Sequence, residues 1–309
     1  MNDATCGQGT ALVEILYSPA CPQNAYFVAC VRRWLASYAE QGRTEIRELR
    51  TDRDTRRACE LLRVADLSQL KGNVFIEVFV NGQSVSRVPL HPDEVRNGVR
   101  EALGLPPLPA SAPRAWWDKP QVPDRSAARE NLRYLPLTRD LAGKSLQLCL
   151  CRHPASGMTP KQFRQPGRDL KSELWEPAFA LQPVLGVLAL DDELPAGMIE
   201  VYPRRLARLA GFVTGEEHDD DSVLTVTCIE VAGGYPRVEL IDRLMDNLLR
   251  ALAETETSFR WLEGNGVYGW IDGTNPYWVF EKHGFARVQE IVPGRRVLMR
   301  RPISTSALA

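Results

Sequence analysis

Residues 222–245 read SVLTVTCIEVAGGYPRVELIDRLM, a β-rich run, a glycine turn and a helix start in direct succession. From Arg237 onward, Leu240, Ile241, Leu244, Met245, Leu248, Leu249 and Leu252 fall on one helical face. Asp242, Arg243, Asp246 and Arg250 take the other, so the spacing predicts a helix over 237–254. Pro236 suits its first position, because the missing N–H has no helical partner. A helix start offers unpaired N–H groups and a positive dipole end, and glycines before it let backbone approach a ligand. Two readings stay open on these residues alone: an anion site, or a capped core helix behind a glycine turn. Glu239 sits where the anion would go. At about 4 Å and an effective dielectric of 20 its carboxylate would repel a phosphate charge by about 4 kcal/mol, unless it swings into water. Arg237 offers an offsetting charge.

Outward from this stretch, the chain of 309 residues has material for two ordinary domains, and its net charge of -1 argues against nucleic acid as the main partner. No apolar run reaches the roughly 20 residues that cross a bilayer, and the start, MNDATCGQGT, lacks a basic region followed by an apolar core. A cytoplasmic protein without a membrane partner is expected. Seven cysteines at scattered spacings form no disulfide framework and fit a reducing compartment.

The reading is α/β in two halves. In residues 1–104, LVEILY (12–17) is a buried strand, 22–40 a helix, TEIREL (44–49) a strand, and a charged helix follows with Ala58, Leu61 and Leu62. VFIEVFV and SVSRVPL form a hairpin through Asn81-Gly82, which supplies positive φ at both turn positions, and a helix spans about 92–103. The six prolines of LGLPPLPASAPRAWWDKPQVPDRS mark a linker over 105–130, whose Trp116 and Trp117 are expected to dock on a domain. In 131–309, strands are expected at 132–136, 184–190, 196–202, 222–231, 266–271 and 296–301, and helices near 138–148, 168–180, 237–254 and 275–283.

Three patterns in this second half carry a resemblance. VLGVLALDDELPAGMIEVYP (184–203) is a strand pair with an acidic turn and a glycine, Gly197; the opening stretch is the second; NPYWVFEKHGFARVQE (275–290), a late helix with a glycine-phenylalanine exit and a following strand, is the third. Together they resemble the GNAT superfamily of acyl-CoA-dependent N-acetyltransferases over most of 130–302. The resemblance implies a mixed β-sheet with flanking helices, acetyl-CoA as co-substrate, and a strand splayed from its neighbour to take the pantetheine arm. It carries cofactor contacts onto Cys228, Ile229 and Val231 of the strand. In the loop and first turns these are Tyr235, Pro236, Arg237, Val238, Glu239, Leu240 and Ile241, with Asn275 and Phe280 beyond. Laid on the family's loop, Pro236 takes the Arg or Gln place, Glu239 and Ile241 the small-residue places, and Leu244 the Leu. Phe280 stands where many members place a tyrosine acid, and Tyr277, one turn earlier, is the substitute. Glu200 and Glu230, on adjacent central strands, are the base candidates, each alternatively a solvated residue or an amine anchor. The N–H of Val231 is expected to polarise the thioester carbonyl. The acceptor is a primary amine on a small molecule or a protein, and a homodimer stays open.

In the first half, YSPACPQN (17–24) after a buried strand resembles the entry to thioredoxin-like active sites. Asn24 stands where those proteins place a second cysteine, and Ile76 where they place a cis-proline, so the resemblance implies the fold without its redox chemistry. Cys21 and Cys30 lie about 13 Å apart along one helix, beyond disulfide reach. Two alternatives to the transferase remain: a GNAT-fold binding or regulatory module, and a thiol-dependent enzyme or sensor using Cys21 at its helix N-terminus. CLCRH would present Cys149, Cys151 and His153 to one side if extended, but its spacing is unlike zinc motifs; a strand or helix end with buried thiols is expected, and no metal site. EEHDDD (216–221) reads as a solvated acidic loop.

Overall fold

The computed structural model describes residues 9–88, 90–109, 131–149, 160–268 and 275–303. The first unit runs β1 (Ala11–Tyr17), α1 (Gln23–Glu40), β2 (Thr44–Arg50), α2 (Thr55–Leu62), β3 (Ile76–Val80), β4 (Gln83–Arg87) and α3 (Pro92–Ala102). Its sheet order is β2-β1-β3-β4, with β1 parallel to β2 and antiparallel to β3. Asn81 and Gly82 adopt the positive φ that the hairpin turn requires. The apolar stripe of α1, with Phe27, Cys30, Val31 and Leu35, packs on Val13, Ile15 and Val78 and on Val95 and Val99 of α3.

The second unit runs β5 (Arg133–Pro136), α4 (Arg139–Cys149), α5 (Arg164–Leu181), β6 (Gly186–Asp191), β7 (Leu194–Pro203), α6 (Arg204–Leu209), β8 (Val223–Val231), α7 (Arg237–Glu254), β9 (Trp261–Val267), α8 (Tyr277–Lys282), β10 (Ala286–Val292) and β11 (Arg296–Pro302). Its sheet has the order β10-β11-β9-β8-β7-β6-β5, antiparallel except for β8 and β9. α7 and α8 share a core on one face of this sheet, while α4, α5 and α6 pack in cores on the other. Leu240, Ile241, Leu244, Met245, Leu248 and Leu252 of α7 are all buried, each contributing roughly 1.5–3 kcal/mol relative to exposure. Gly197 lets this helix sit close, since a Cβ there would lie 3.0 Å from Leu240.

One expected strand is displaced. The run 266–271 was predicted to be extended, whereas the strand is Trp261–Val267, and 269–274 lie outside the described residues. WLEGNGV hides its character because two glycines replace the branched residues a strand usually shows. They are there for packing: a Cβ on Gly264 would meet the Phe280 ring at 2.3 Å, and one on Gly266 the Tyr277 backbone at 2.9 Å. The short helix α6 was not anticipated. Cys149 ends α4, a helix end and not an extended segment with three ligands on one side, while Cys151, His153, Trp116 and Trp117 lie outside the described residues. Among the described residues no group of His, Cys, Asp and Glu could hold a metal ion, and no helix is long and apolar enough to cross a membrane. The acidic run is tied down by arginines: Asp220 pairs with Arg208 at 2.7 Å and Glu217 with Arg300 at 2.9 Å.

The two units meet over apolar cores and not only through the proline-rich segment. Leu16, Leu49 and Phe79 share one core with Val213, Ile291 and Leu298. Ala20 joins another with Ala142, Leu146, Leu174 and Trp175. Between the two cores, the Val74 N–H donates to the Gly211 carbonyl at 2.8 Å and the Val213 N–H to Asn73 Oδ1 at 2.9 Å.

Candidate active site

β8 and β9 begin as a regular parallel pair, Val223 to Val226 against Trp261 to Gly264, and then separate. β8 continues through Thr227 to Val231 and β9 through Asn265 to Val267 with no ladder between them. The paired half is pinned by Glu263, a fully buried carboxylate that accepts from Arg204 Nη2 at 2.7 Å, Arg204 Nε at 3.0 Å and Thr225 Oγ1 at 3.0 Å. Beyond Gly264, β9 is held by β11 on its far edge, and the Val267 N–H turns to the Asn275 carbonyl at 2.9 Å. Asn275 therefore closes the end of the gap with its backbone, and α8 begins beside it at Tyr277.

On its other edge β8 stays paired with β7, with an irregularity at Glu200/Val201 that leaves Thr227 unmatched. The bulge reverses the alternation of side chains. Val226, Ile229 and Val231 consequently join the α7 core, while Cys228 packs with Met198 and Cys149 on the opposite face. The Ala232 N–H donates to the Ala196 carbonyl at 2.8 Å, which fixes the ladder. By strand alternation the N–H and C=O groups of Ile229 and Val231 then turn away from β7, into the gap.

The loop after β8 leads to α7, which has Pro236 at its N-cap and no side-chain cap. The Leu240 N–H is already committed to the Pro236 carbonyl at 3.0 Å. The N–H groups of Arg237, Val238 and Glu239 have no acceptor within the helix. Leu240 and Ile241 thus leave the expected set of cofactor contacts: their side chains are core and their amides belong to the helix ladder. Tyr235 is also buried, and its hydroxyl donates to Asp191 at 2.6 Å, so its ring anchors the loop to the β6–β7 turn. Glu239 accepts from Arg243 at 2.9 Å and lines a small crevice with Leu132, Tyr134 and Pro236. Its carboxylate runs along the helix toward β5 with its charge paired.

The chemical groups divide differently from expectation. Glu200 is 2% exposed and both its oxygens accept from Lys171 Nζ, at 2.6 and 2.7 Å, with Lys171 itself fully buried. A carboxylate closed on an ammonium in this way does not serve as a general base, which corrects the expectation for Glu200. Phe280 is likewise corrected as a cofactor contact, since its side chain is fully buried between Gly264 and Phe285, with ring centroids 5.1 Å apart in the latter pair. Tyr277 is half-buried, its ring 4.8 Å from that of Tyr268 with the Arg287 guanidinium 4.9 Å from its centroid. Glu230, next to Val231, is half-buried. Sequence reasoning missed Lys171, which no spacing announces; it missed Arg243 as the partner of Glu239, although their separation of four residues is the usual one for a helical ion pair.

Around Lys171 and Glu200 lie three free cysteines with buried thiols, Cys21 of the first unit and Cys149 and Cys228 of the second. Burial pushes the Cys21 thiol up, against the lowering effect of the Gln23 N–H and of Lys171. Burial also holds Cys149 and Cys228 well above the usual thiol range.

No family model matches the chain, and no curated protein matches it. Among solved structures it is similar to a putative acetyltransferase of the GNAT family from Desulfovibrio desulfuricans, at 15% identity and a TM-score of 0.35, over 56% of this chain and 98% of that one. It is similar to the ribosomal-protein-S18-alanine N-acetyltransferase from Escherichia coli at 14% identity and a TM-score of 0.35, over 57% and 97%. A third is PaiA N-acetyltransferase from Thermoplasma acidophilum, solved with coenzyme A, at 12% identity and a TM-score of 0.32, over 55% and 98%. At these identities and scores the likenesses carry no activity over to this chain.

Proposed function

We propose that the chain is an acyl-CoA-dependent N-acetyltransferase that moves an acetyl group from acetyl-CoA to a primary amine by direct attack. The observation that carries this reading is the parting of β8 from β9 beside the start of α7, where Pro236 at the N-cap offers no side-chain cap. Strand edges with unpaired amides suit the amide-rich pantetheine arm, and the N–H groups of Arg237, Val238 and Glu239 suit the pyrophosphate. The Val231 N–H would polarise the thioester carbonyl. Glu230, on the same strand, would take the amine proton, directly or through water, and Tyr277 at the start of α8 would supply the proton to the leaving thiolate. With Glu200 closed by Lys171, the base assignment falls on Glu230 alone.

The first unit would be a thioredoxin-like domain without redox competence. The sheet order β2-β1-β3-β4 supports that fold, and Asn24 accounts for the lost chemistry. Fully buried, its side-chain amide donates to the Ser18 carbonyl at 2.7 Å and the Phe75 carbonyl at 2.9 Å, fixing the loop where a second thiol would stand. A second reading, a binding module that keeps the fold without turnover, is favoured by the closure of Glu200 and the burial of Phe280. Titration calorimetry with acetyl-CoA, followed by release of CoA thiol in the presence of a panel of primary amines, separates the two. Binding with turnover supports the transferase, binding without turnover on any amine supports the module, and no heat at millimolar acetyl-CoA would sink both.

A further inference from the structure

The side chains of β9 divide between the two faces of the sheet by strand alternation. Gly264 and Gly266 lie on the α7 and α8 side, where a Cβ on each would meet Phe280 and Tyr277. Glu263 and Asn265 therefore face the other way, and Leu298, opposite Asn265 on β11, likewise stays out of the α7 core. On β8 the bulge sends Cys228 and Glu230 to that same face: Ile229 and Val231 belong to the α7 core, while Cys228 packs with Met198, which lies opposite Glu230. Asn265 and Glu230 thus share one face, on the two strands that part. Asn265 is the first residue of β9 beyond the last paired position, Val226 with Gly264. It is 7% exposed, and its Oδ1 is buried with no hydrogen-bond partner among the described residues. Glu263, two residues earlier on this face, shows the contrast, since Arg204, Thr225, Arg300 and the Gly215 N–H all donate to its two oxygens. An unfilled acceptor beside so fully paired a group costs stability and calls for a donor from outside the chain.

We infer that Asn265 binds the acceptor amine, its Oδ1 taking one N–H of the nucleophile where β8 and β9 part. The inference rests on the transferase reading and names a residue of its acceptor site. Of the two reacting groups only the amine can fill Oδ1, because the thioester end of acetyl-CoA carries oxygen and sulfur acceptors and no polar hydrogen. A neutral primary amine brings two N–H groups and a lone pair. The lone pair attacks the carbonyl carbon, and the C–N bond forms as the C–S bond breaks; one nitrogen proton leaves toward Glu230, and Tyr277 supplies a proton to the departing thiolate. The other N–H stays on Asn265 throughout and becomes the N–H of the product amide. A secondary amine has a single N–H, which it would have to give to Oδ1 and also lose. Asn265 accordingly selects primary amines over secondary ones.

Asn265→Leu in the full chain tests this by removing the amide while keeping its approximate size, with Asn265→Ala measured beside it because alanine crowds nothing. In urea unfolding of the free protein, Asn265→Leu is expected to be at least as stable as the wild type, since an unpartnered buried oxygen has gone. Methylamine and benzylamine are then offered with acetyl-CoA, each against its N-methyl derivative. The wild type is expected to prefer the primary amine of each pair. Both variants should lose roughly tenfold or more in kcat/KM on the primary amine and show a narrowed preference, with acetyl-CoA affinity by calorimetry unchanged. Clear destabilisation of both variants, or turnover and preference kept in both, would overturn the inference and leave the transferase reading standing. Acetyl-CoA that binds the wild type without turnover of either primary amine would count against both.

Discussion

Lys171 Nζ, on α5, stands 2.6 and 2.7 Å from the two carboxylate oxygens of Glu200 on β7, both residues buried and the ammonium 5.3 Å from the Trp175 ring centroid. Removing one partner of such a pair leaves a buried charge uncompensated and costs about 3–5 kcal/mol, whereas removing both together is often near neutral. Lys171→Met and Glu200→Leu are each expected to lower the urea midpoint sharply, and the double variant to recover most of the loss. Burial pulls the Lys171 pKa down, but Glu200, Tyr202, Cys149 and Cys228 together raise it well above the ordinary lysine value. A raised folded-state pKa contributes stability that is full below the unfolded lysine pKa and is lost as pH rises through the folded one. Unfolding followed across alkaline pH should show a decline above the ordinary lysine range that Lys171→Met/Glu200→Leu lacks.

The Glu239–Arg243 pair is half-exposed and spans one helical turn, so its own stabilisation is only about 0.3–0.5 kcal/mol. Its effect on ligand charge is larger than on stability. Arg243→Ala leaves the Glu239 carboxylate without this partner near the helix start and is expected to weaken acetyl-CoA binding, while Glu239→Ala alters it little. Calorimetry on the two variants decides: a strong gain in affinity on Glu239→Ala would show that the carboxylate opposes the phosphates despite its partner.

Gly264 and Phe280 form a contact with no room for a methyl group. Overpacking of this kind costs about 1–3 kcal/mol. Gly264→Ala should therefore lower the melting temperature, and Phe280→Leu in the same chain should restore part of it. Wild-type stability in Gly264→Ala alone would mean that β9 and α8 sit further apart than described.

Asn24 holds the turn before α1 through two main-chain acceptors; its loss removes the side-chain donor from the Ser18 carbonyl in a buried site, while the Phe75 carbonyl keeps the Ser18 N–H at 2.9 Å. Asn24→Ala is expected to destabilise the protein by about 1–3 kcal/mol in denaturant titrations. Asn24→Cys should not create a disulfide exchange activity that repays this loss. Turnover of a disulfide by that variant, with undiminished stability, would show that the position is redox-ready.

What could be read from the sequence followed its periodicity. The α7 stripe, the hairpin at Asn81-Gly82 and the strand pair around Gly197 all declared themselves because a single face of each is apolar or a single turn needs positive φ. β9 escaped because its glycines serve Phe280 and Tyr277, contacts made by residues more than ten positions away. At Ile229, Val231 and the start of α7 the sequence placed strand end and helix start where the structure has them. The candidate site was misread where a distant side chain intervenes, as Lys171 does at Glu200 and Asp191 at Tyr235, since no local spacing encodes such partners.

The central claim is that the parted strands and the start of α7 hold acetyl-CoA. Amide hydrogen exchange with and without saturating acetyl-CoA tests it at the residues concerned. Slowed exchange at Ile229 and Val231 and at Arg237 to Glu239, with the paired segment Val223–Val226 unchanged, is the expected result. Bound acetyl-CoA that leaves those amides exchanging at their free rates, or protects a different surface, would contradict it.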